Sequence, residues 1–310
     1  MAEILTPASL QGVWAFIPTP WDEGDRLDED ALTHDVEYLC TQNFAGIYTT
    51  SSSGEFFALT MDEFRRLTST VLRVAKRAGV PVQIGCGATD TRAFLQQANH
   101  AVEQGADAVQ VILPFYRKLK LEEAARFFEA VAGVCGDVPL VHYNTGHAKL
   151  MFEAEDYRRL KERVPSLIGT KLPNRDPLWF ATVCETVPEL SHFTGEYTFV
   201  ADFVGGAQGI YSWLALTNPR LAIEWFRMCR SGAWNDAIRF QRQVNRYKIH
   251  VKSYWQGSSE AAINKADARM NPRIRCDLRV RDPYASCTDN DLESARSWAR
   301  HHFPELLDLG

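Results

Sequence analysis

Eight short apolar runs recur along the chain: GVWAFIP (12–18), AGIYTT (45–50), VPVQIG (80–85), DAVQVIL (107–113), VPLVHY (138–143), SLIGTK (166–171), LSHFTG (190–195) and QGIYSW (208–213). Each is rich in Val, Ile or aromatic residues, and none alternates cleanly between apolar and polar. Strands covered on both faces have this pattern. Longer stretches with apolar residues at helical spacing lie between them: DEDALTHDVEYLCTQ (28–42), MDEFRRLTSTVLRVAKRAG (61–79), DTRAFLQQANHAVEQG (90–105), LEEAARFFEAVAGVCG (121–136) and EAEDYRRLKERV (153–164). Strands spaced by about 20–35 residues with a helix between them are what parallel βα units require. Eight units in a row predict an α/β fold, a (β/α)8 TIM barrel. The alternative is an open doubly wound sheet. That sheet would usually carry a GxGxxG turn, and GCGATD (85–90) lacks the third glycine.

Local signals agree. Thr60 followed by Glu63 reads as a capping box, and Gly79 and Gly105 stand where helix C-caps belong. After residue 230 the strand pattern stops. AWNDAIRFQRQVNRYKIHVKSYW (233–255) and DNDLESARSWARHHF (289–303) read as helices, and 270–284 reads as a loop. We therefore expect a catalytic barrel over 1–230 and a C-terminal helical region over 231–310 packed on it. A barrel of about 250 residues leaves room for such an addition in a chain of 310.

Composition removes several function classes. The formal net charge is −5 and no basic block occurs, which argues against a nucleic-acid or acidic-membrane partner. Seven cysteines, widely spaced and without CxxC, read as reduced thiols in a cytoplasmic protein rather than as a disulfide framework or zinc site. No signal-peptide pattern opens the chain, and no apolar run approaches the roughly 18 residues of a membrane span.

In a barrel, chemistry sits at the C-terminal ends of the strands. Four such places carry reactive groups: SSSGE (51–55), PFYRK (114–118), Tyr143–Asn144 and Thr170–Lys171. An ammonium in a poorly solvated pocket loses its proton more readily, so a lysine closing the apolar strand SLIGTK is a candidate nucleophile toward a carbonyl. A salt-bridged strand-end lysine is the plainer reading of the same position. Tyr143 and Tyr116 taken singly read as core residues with a satisfied hydroxyl. With Lys171 and the hydroxyl-rich turn they form a coherent set. The lysine makes a Schiff base, a tyrosine moves protons, and the turn holds a carboxylate.

From Gly12 to about Pro219 the sequence resembles the dihydrodipicolinate synthase / N-acetylneuraminate lyase superfamily of Schiff-base-forming pyruvate aldolases. IPTPWDEGDRLDEDAL (17–32) is similar to the family's opening, and SSSGEFFALTMDEFRRL (51–67) to its Gly-Thr-Thr-Gly-Glu signature. PFYRK (114–118), YN (143–144) and IGTK (168–171) are similar to its Pro-Tyr-Tyr, Tyr-Asn and Gly-x-Lys sites. The resemblance implies roles. Lys171 would form the Schiff base and Tyr143 would be the acid/base. Ser52 would link Tyr143 to Tyr116, and Ser53, with Ser51 and Gly54, would hold the 2-oxo acid carboxylate. Tyr116 would carry an implied homo-oligomer, a tetramer or dimer. Glu55 would tie the turn together. No metal or organic cofactor is implied, and the partners would be a small 2-oxo acid and an aldehyde.

Departures narrow the activity. Synthases of lysine biosynthesis carry an arginine where this chain has Ala148, so that activity is not expected. Leu172–Pro173 follows Lys171 where the family often has an acidic or amide residue, and Trp213 stands near where sialate lyases have small polar residues that contact the sugar chain, so a sialic acid substrate is not expected. GEFFALT (54–60) is similar to the 5-dehydro-4-deoxyglucarate dehydratases, whereas GVWAFIPTP (12–20) and Trp213 are similar to hydratase-aldolases acting on aromatic pyruvate adducts. Specificity is expected to rest on Thr145, His147, Lys149, Asn174, Tyr197, Tyr211 and Trp213. A non-enzymatic 2-oxo acid sensor would lack the lysine or the tyrosine, and both are present.

Overall fold

The computed structural model describes residues 4–173, 175–254 and 258–310. Strands β1 (Gly12–Ile17), β2 (Gly46–Thr49), β3 (Val82–Cys86), β4 (Ala108–Val111), β5 (Leu140–Tyr143), β6 (Leu167–Lys171), β7 (Ser191–Thr194) and β8 (Gly209–Ser212) form a closed barrel in chain order. Seven strands lie inside their apolar runs, and β3 extends one residue past its run, to Cys86. Nearly every strand residue is buried, as strands lined by side chains within and helices without must be.

The intervening helices are α1 (Glu29–Cys40), α2 (Met61–Ala78), α3 (Thr91–Glu103), α4 (Leu121–Cys135), α5 (Ala154–Arg163), α6 (Pro177–Thr186) and α7 (Phe199–Val204). The capping box is present at α2, with Glu63 N–H donating to Thr60 and the Glu63 carboxylate accepting from the Thr60 N–H. Gly79 ends α2 at φ +70°, and Gly105 follows α3 at φ +77°, a left-handed region that glycine enters without a Cβ penalty. Beyond β8 lie α8 (Leu214–Thr217), α9 (Pro219–Arg230), α10 (Trp234–Tyr254), α11 (Glu260–Arg269) and α12 (Asp289–His302). The sequence reading found α10 and α12 but not α8, α9 or α11.

The chain divides into two compact units. One joins the residues up to Gly12 with Pro81–Tyr211, and the other joins Val13–Val80 with Ser212–Gly310. The C-terminal helices thus belong with β2, α1, α2 and most of β1. All seven cysteines are free; six are buried and Cys40 is partly so. No helix among the described residues is long and apolar enough to cross a membrane.

Candidate active site

In the first unit the site is built by strand register. Tyr143 of β5 pairs with Lys171 of β6, and Lys171 with Phe193 of β7. One residue earlier, His142 faces the surrounding helices. Its ring meets Phe128 of α4, and its Nδ1 lies 2.9 Å from the Tyr157 hydroxyl of α5. Burial pushes that imidazole down to about 3. Side chains alternate along a strand, so Tyr143 points the other way, into the barrel. Likewise Thr170 points outward to His192, 2.8 Å away, and His192 Nε2 reaches the Val187 carbonyl at 3.0 Å. Burial lowers His192 to about 4, so it is neutral. Its Nε2–H donates to Val187 and its Nδ1 accepts from the Thr170 hydroxyl. Lys171 then points inward. Gly169 is required below it, because a Cβ there would stand 2.8 Å from the Ser191 carbonyl oxygen.

The Lys171 ammonium lies 4.1 Å from the Tyr143 ring centroid and 5.3 Å from that of Tyr211. Lys171 is half-buried, and both tyrosines are buried. The Tyr211 hydroxyl donates to Gln83 Oε1 at 2.7 Å, and burial raises its pKa, so it stays protonated as a fixed wall. Behind β5, Asn144 holds its loop closed by two bonds to the Phe152 backbone, 2.9 and 3.0 Å long. Thr145 caps the short turn Gly146–Ala148 by accepting from the His147 N–H at 3.3 Å. Ala148 is buried, whereas His147 and Lys149 are exposed. The Lys149 ammonium donates to the Tyr116 carbonyl at 2.7 Å, while the Tyr116 side chain is 74% exposed. Tyr197 is 40% exposed, and Asn174 lies outside the described residues.

In the second unit the SSSGE stretch is no solvent loop. Thr50 and Glu55 take left-handed backbone at φ 54° and 53°, and between them Ser52–Gly54 form one 3-10 turn. Ser51, Ser52, Ser53 and Glu55 are all buried. A Cβ on Gly54 would reach 3.4 Å from the Ile17 carbonyl, and the Gly54 carbonyl accepts from Thr19 Oγ1 at 2.6 Å. The turn is therefore drawn tightly against the end of β1. Glu55 accepts from the Trp21 indole at 3.2 Å and from the Arg281 N–H at 3.1 Å. It also pairs with the fully buried Lys265 ammonium at 2.6 Å. These bonds tie the end of the turn to Trp21, Lys265 and Arg281.

Trp213, just past β8, is buried, stacked on Tyr247 at 5.8 Å, with the Lys248 ammonium 3.8 Å from its ring centroid. Lys248 pairs with Asp267, whose carboxyl also accepts from the Tyr247 hydroxyl at 3.1 Å. Burial raises the Asp267 pKa against the pull of Lys248. Sequence reasoning missed α11 and with it Asn264, whose Nδ2 donates to Ser53 Oγ at 2.8 Å, as well as Lys265 and Asp267. The signal was faint. Ser259 before GluAlaAla is a helix start, and its hydroxyl accepts from the Ala262 N–H at 3.2 Å, but an alanine-rich helix shows no apolar stripe. Among the described residues no group of three His, Cys, Asp or Glu could hold a metal ion.

A closed parallel barrel with a lysine on β6 set beside a tyrosine on β5 defines a class of α/β barrel proteins. The chain belongs to the dihydrodipicolinate synthetase family, whose model matches residues 9–301. It is 30% identical over 231 residues to a 4-hydroxy-tetrahydrodipicolinate synthase of Acidiphilium cryptum, covering 73% of this chain and 77% of that protein. It is also 30% identical over 311 residues to an uncharacterised DapA-like lyase of Halobacterium salinarum, covering 98% and 95%. Its fold is similar to that of the sialic acid aldolase of Ruminococcus gnavus, with TM-score 0.86, 20% identity and coverage of 96% and 99%. The dihydrodipicolinate synthase of Aquifex aeolicus shares the fold with TM-score 0.84, 20% identity and coverage of 94% and 98%.

Proposed function

We propose that this protein is a lyase that forms a Schiff base between Lys171 and a 2-oxo acid, and that cleaves it to, or condenses it with, an aldehyde. The observation that carries the reading is the register pair Tyr143–Lys171, with the ammonium 4.1 Å from the tyrosine ring centroid. On this reading Lys171 Nζ adds to the C2 carbonyl of the acid and water leaves, giving the imine. The C3–C4 bond then breaks with its electrons entering the imine, and Tyr143 takes the proton of the C4 hydroxyl as the aldehyde forms. Protonation at C3 and hydrolysis return pyruvate and the free lysine. Ser53 with the surrounding turn binds the carboxylate, and Ser52 and Tyr116 relay protons to Tyr143.

Ala148 stands buried at the position of the synthase arginine, and Lys149 is engaged by the Tyr116 carbonyl. Both argue against a carboxylate-bearing second substrate of the lysine-biosynthetic kind, despite the name that several relatives carry. The GEFFALT stretch favours a second reading, a dehydratase of a sugar-derived 2-oxo acid using the same imine.

Borohydride reduction in the presence of pyruvate, followed by peptide mass mapping, tests the imine. An adduct on Lys171 is expected, and no adduct with any 2-oxo acid tried would end the reading. Product analysis separates the two outcomes, since carbon dioxide marks the dehydratase and an aldehyde marks the aldolase.

A further inference from the structure

We propose that Asn264 of α11 is a positioning residue that fixes the Ser53 hydroxyl as a hydrogen-bond donor to the substrate carboxylate. The inference rests on the Schiff-base reading above and adds a group from outside the family signature.

A serine hydroxyl has one proton to give and two lone pairs to receive. Asn264 Nδ2 donates to Ser53 Oγ at 2.8 Å and so occupies one lone pair. An amide nitrogen accepts nothing, so the Ser53 proton is not spent on it. Ser53 is 4% exposed and Asn264 9% exposed, which leaves little bulk water to reorient the hydroxyl. The proton is thus held ready for an acceptor, and an oxyanion is the acceptor it serves best.

The placement is built rather than incidental. The next residue, Lys265, bonds Glu55 at 2.6 Å, so consecutive residues of α11 grip both flanks of Gly54. Thr217 Oγ1 donates to the Asp267 carbonyl at 2.9 Å and fixes the helix further along.

Asn264→Asp keeps the shape and reverses the chemistry. A carboxylate there accepts the Ser53 proton and sets a second negative charge beside the substrate's own. The test measures the pyruvate concentration that gives half-maximal borohydride trapping at Lys171, together with the maximal trapping rate and Tm. The proteins compared are wild type, Ser53→Ala, Asn264→Ala, Asn264→Asp and Ser53→Ala/Asn264→Ala, the last free of the added charge. A hydrogen bond to a charged group predicts a rise of about 10- to 100-fold in half-saturation for Asn264→Asp, with the maximal rate changed less. Asn264→Ala, which only releases the hydroxyl, should raise it by about 3- to 10-fold, and this variant carries the test if Asn264→Asp does not fold. The double variant should be no worse than Ser53→Ala, because Asn264 acts through Ser53.

A half-saturation within about twofold of wild type in both Asn264 variants, or an effect that multiplies onto Ser53→Ala, overturns the inference. A fall in Tm and maximal rate at unchanged half-saturation also overturns it, since that is what a structural role gives. Those outcomes leave the imine intact. Failure of wild type to trap any 2-oxo acid instead overturns the functional reading and this inference with it.

Discussion

Lys265→Met should destabilise the protein more than most single changes, and the reason is local. The Lys265 and Glu55 side chains are both 0% exposed and 2.6 Å apart. Methionine retains most of the apolar stem but removes the ammonium, so the Glu55 carboxylate stays buried without its countercharge. The Trp21 indole and the Arg281 N–H remain, at 3.2 and 3.1 Å, and both are neutral donors. The Arg279 carbonyl also loses the donor that Lys265 supplied. Removing one partner of a buried pair costs about 3–5 kcal/mol. At about 2–4 °C per kcal/mol, the scale for domains of 150–250 residues, that is a Tm lower by about 6–20 °C. Lys265→Met/Glu55→Gln should regain most of the loss, because the neutral amide still accepts from Trp21 and Arg281 and no charge is stranded. Calorimetry at a fixed scan rate on the three proteins measures this. A loss below about 1 kcal/mol in the single variant, or a double variant as unstable as the single, would refute the argument that a stranded charge is the cause.

Lys171→Ala should abolish trapping and turnover while keeping the fold, and Tyr143→Phe should still form the imine yet lose about 10²–10⁴-fold in turnover, the scale of an acid–base group. Near-normal turnover in Tyr143→Phe would show that another group moves the proton. Arg281 bonds both oxygens of Glu63, at 2.5 and 2.7 Å, and lowers its pKa from 4.5 to about 2. A depressed carboxyl stabilises fully above its unfolded pKa, and this contribution drains away as pH falls from about 4.5 to about 2. Glu63→Gln should therefore be less stable at neutral pH and lack this part of the acid dependence; a stability profile parallel to wild type through that window would contradict it. Gly209→Ala would place a Cβ in the Phe193 ring and 2.7 Å from the Gly12 carbonyl oxygen. Overpacking costs about 1–3 kcal/mol, and an unchanged unfolding midpoint would show that β8 can give way.

What could be read from sequence follows the length scale of the interactions. Each strand announces itself because burial on both faces demands consecutive apolar residues, and VPLVHY or SLIGTK satisfies that demand within six positions. Thr60–Glu63 is equally local, since the box closes within one turn. Lys171 and Tyr143 were legible because barrel chemistry lies at strand ends, a rule that needs only the end of a run. Asn264 and Lys265 obey no local rule. Their meaning comes from Ser53 and Glu55, some 210 residues earlier in the chain. Nothing in GluAlaAlaIleAsnLysAlaAsp distinguishes a polar pair at a buried turn from a polar pair facing water. Helices α8 and α9 were missed for a related reason. Helix α8 follows β8 after one residue and α9 follows α8 after one more, with only Trp213 and Asn218 between the three elements and no loop to set the helices apart. The burial of the serines was legible only in part. A run of hydroxyls reads equally as loop or turn until Thr50 and Glu55 are seen in left-handed backbone on either side of it.

Each compact unit holds its own candidate residues by a different means, and this bears on how each should fail. In the first, Tyr143 and Lys171 are set by parallel register and by the outward anchors His142–Tyr157 and Thr170–His192. Shifting either strand by one residue would turn the lysine or the tyrosine out of the barrel altogether. In the second, side chains rather than register do the holding, and one ten-residue helix supplies them. Asn264 reaches Ser53, Lys265 reaches Glu55, and Asp267 fixes the Lys248 ammonium that lies over Trp213. On the proposed reading, the register-held groups do chemistry on substrate already bound, whereas the helix-held turn grips the carboxylate before chemistry begins. Damage to β5 or β6 should then appear first in the maximal rate, and damage to α11 first in the substrate concentration needed to reach it. On that reading the C-terminal region belongs to the binding machinery, although it contributes no strand to the barrel.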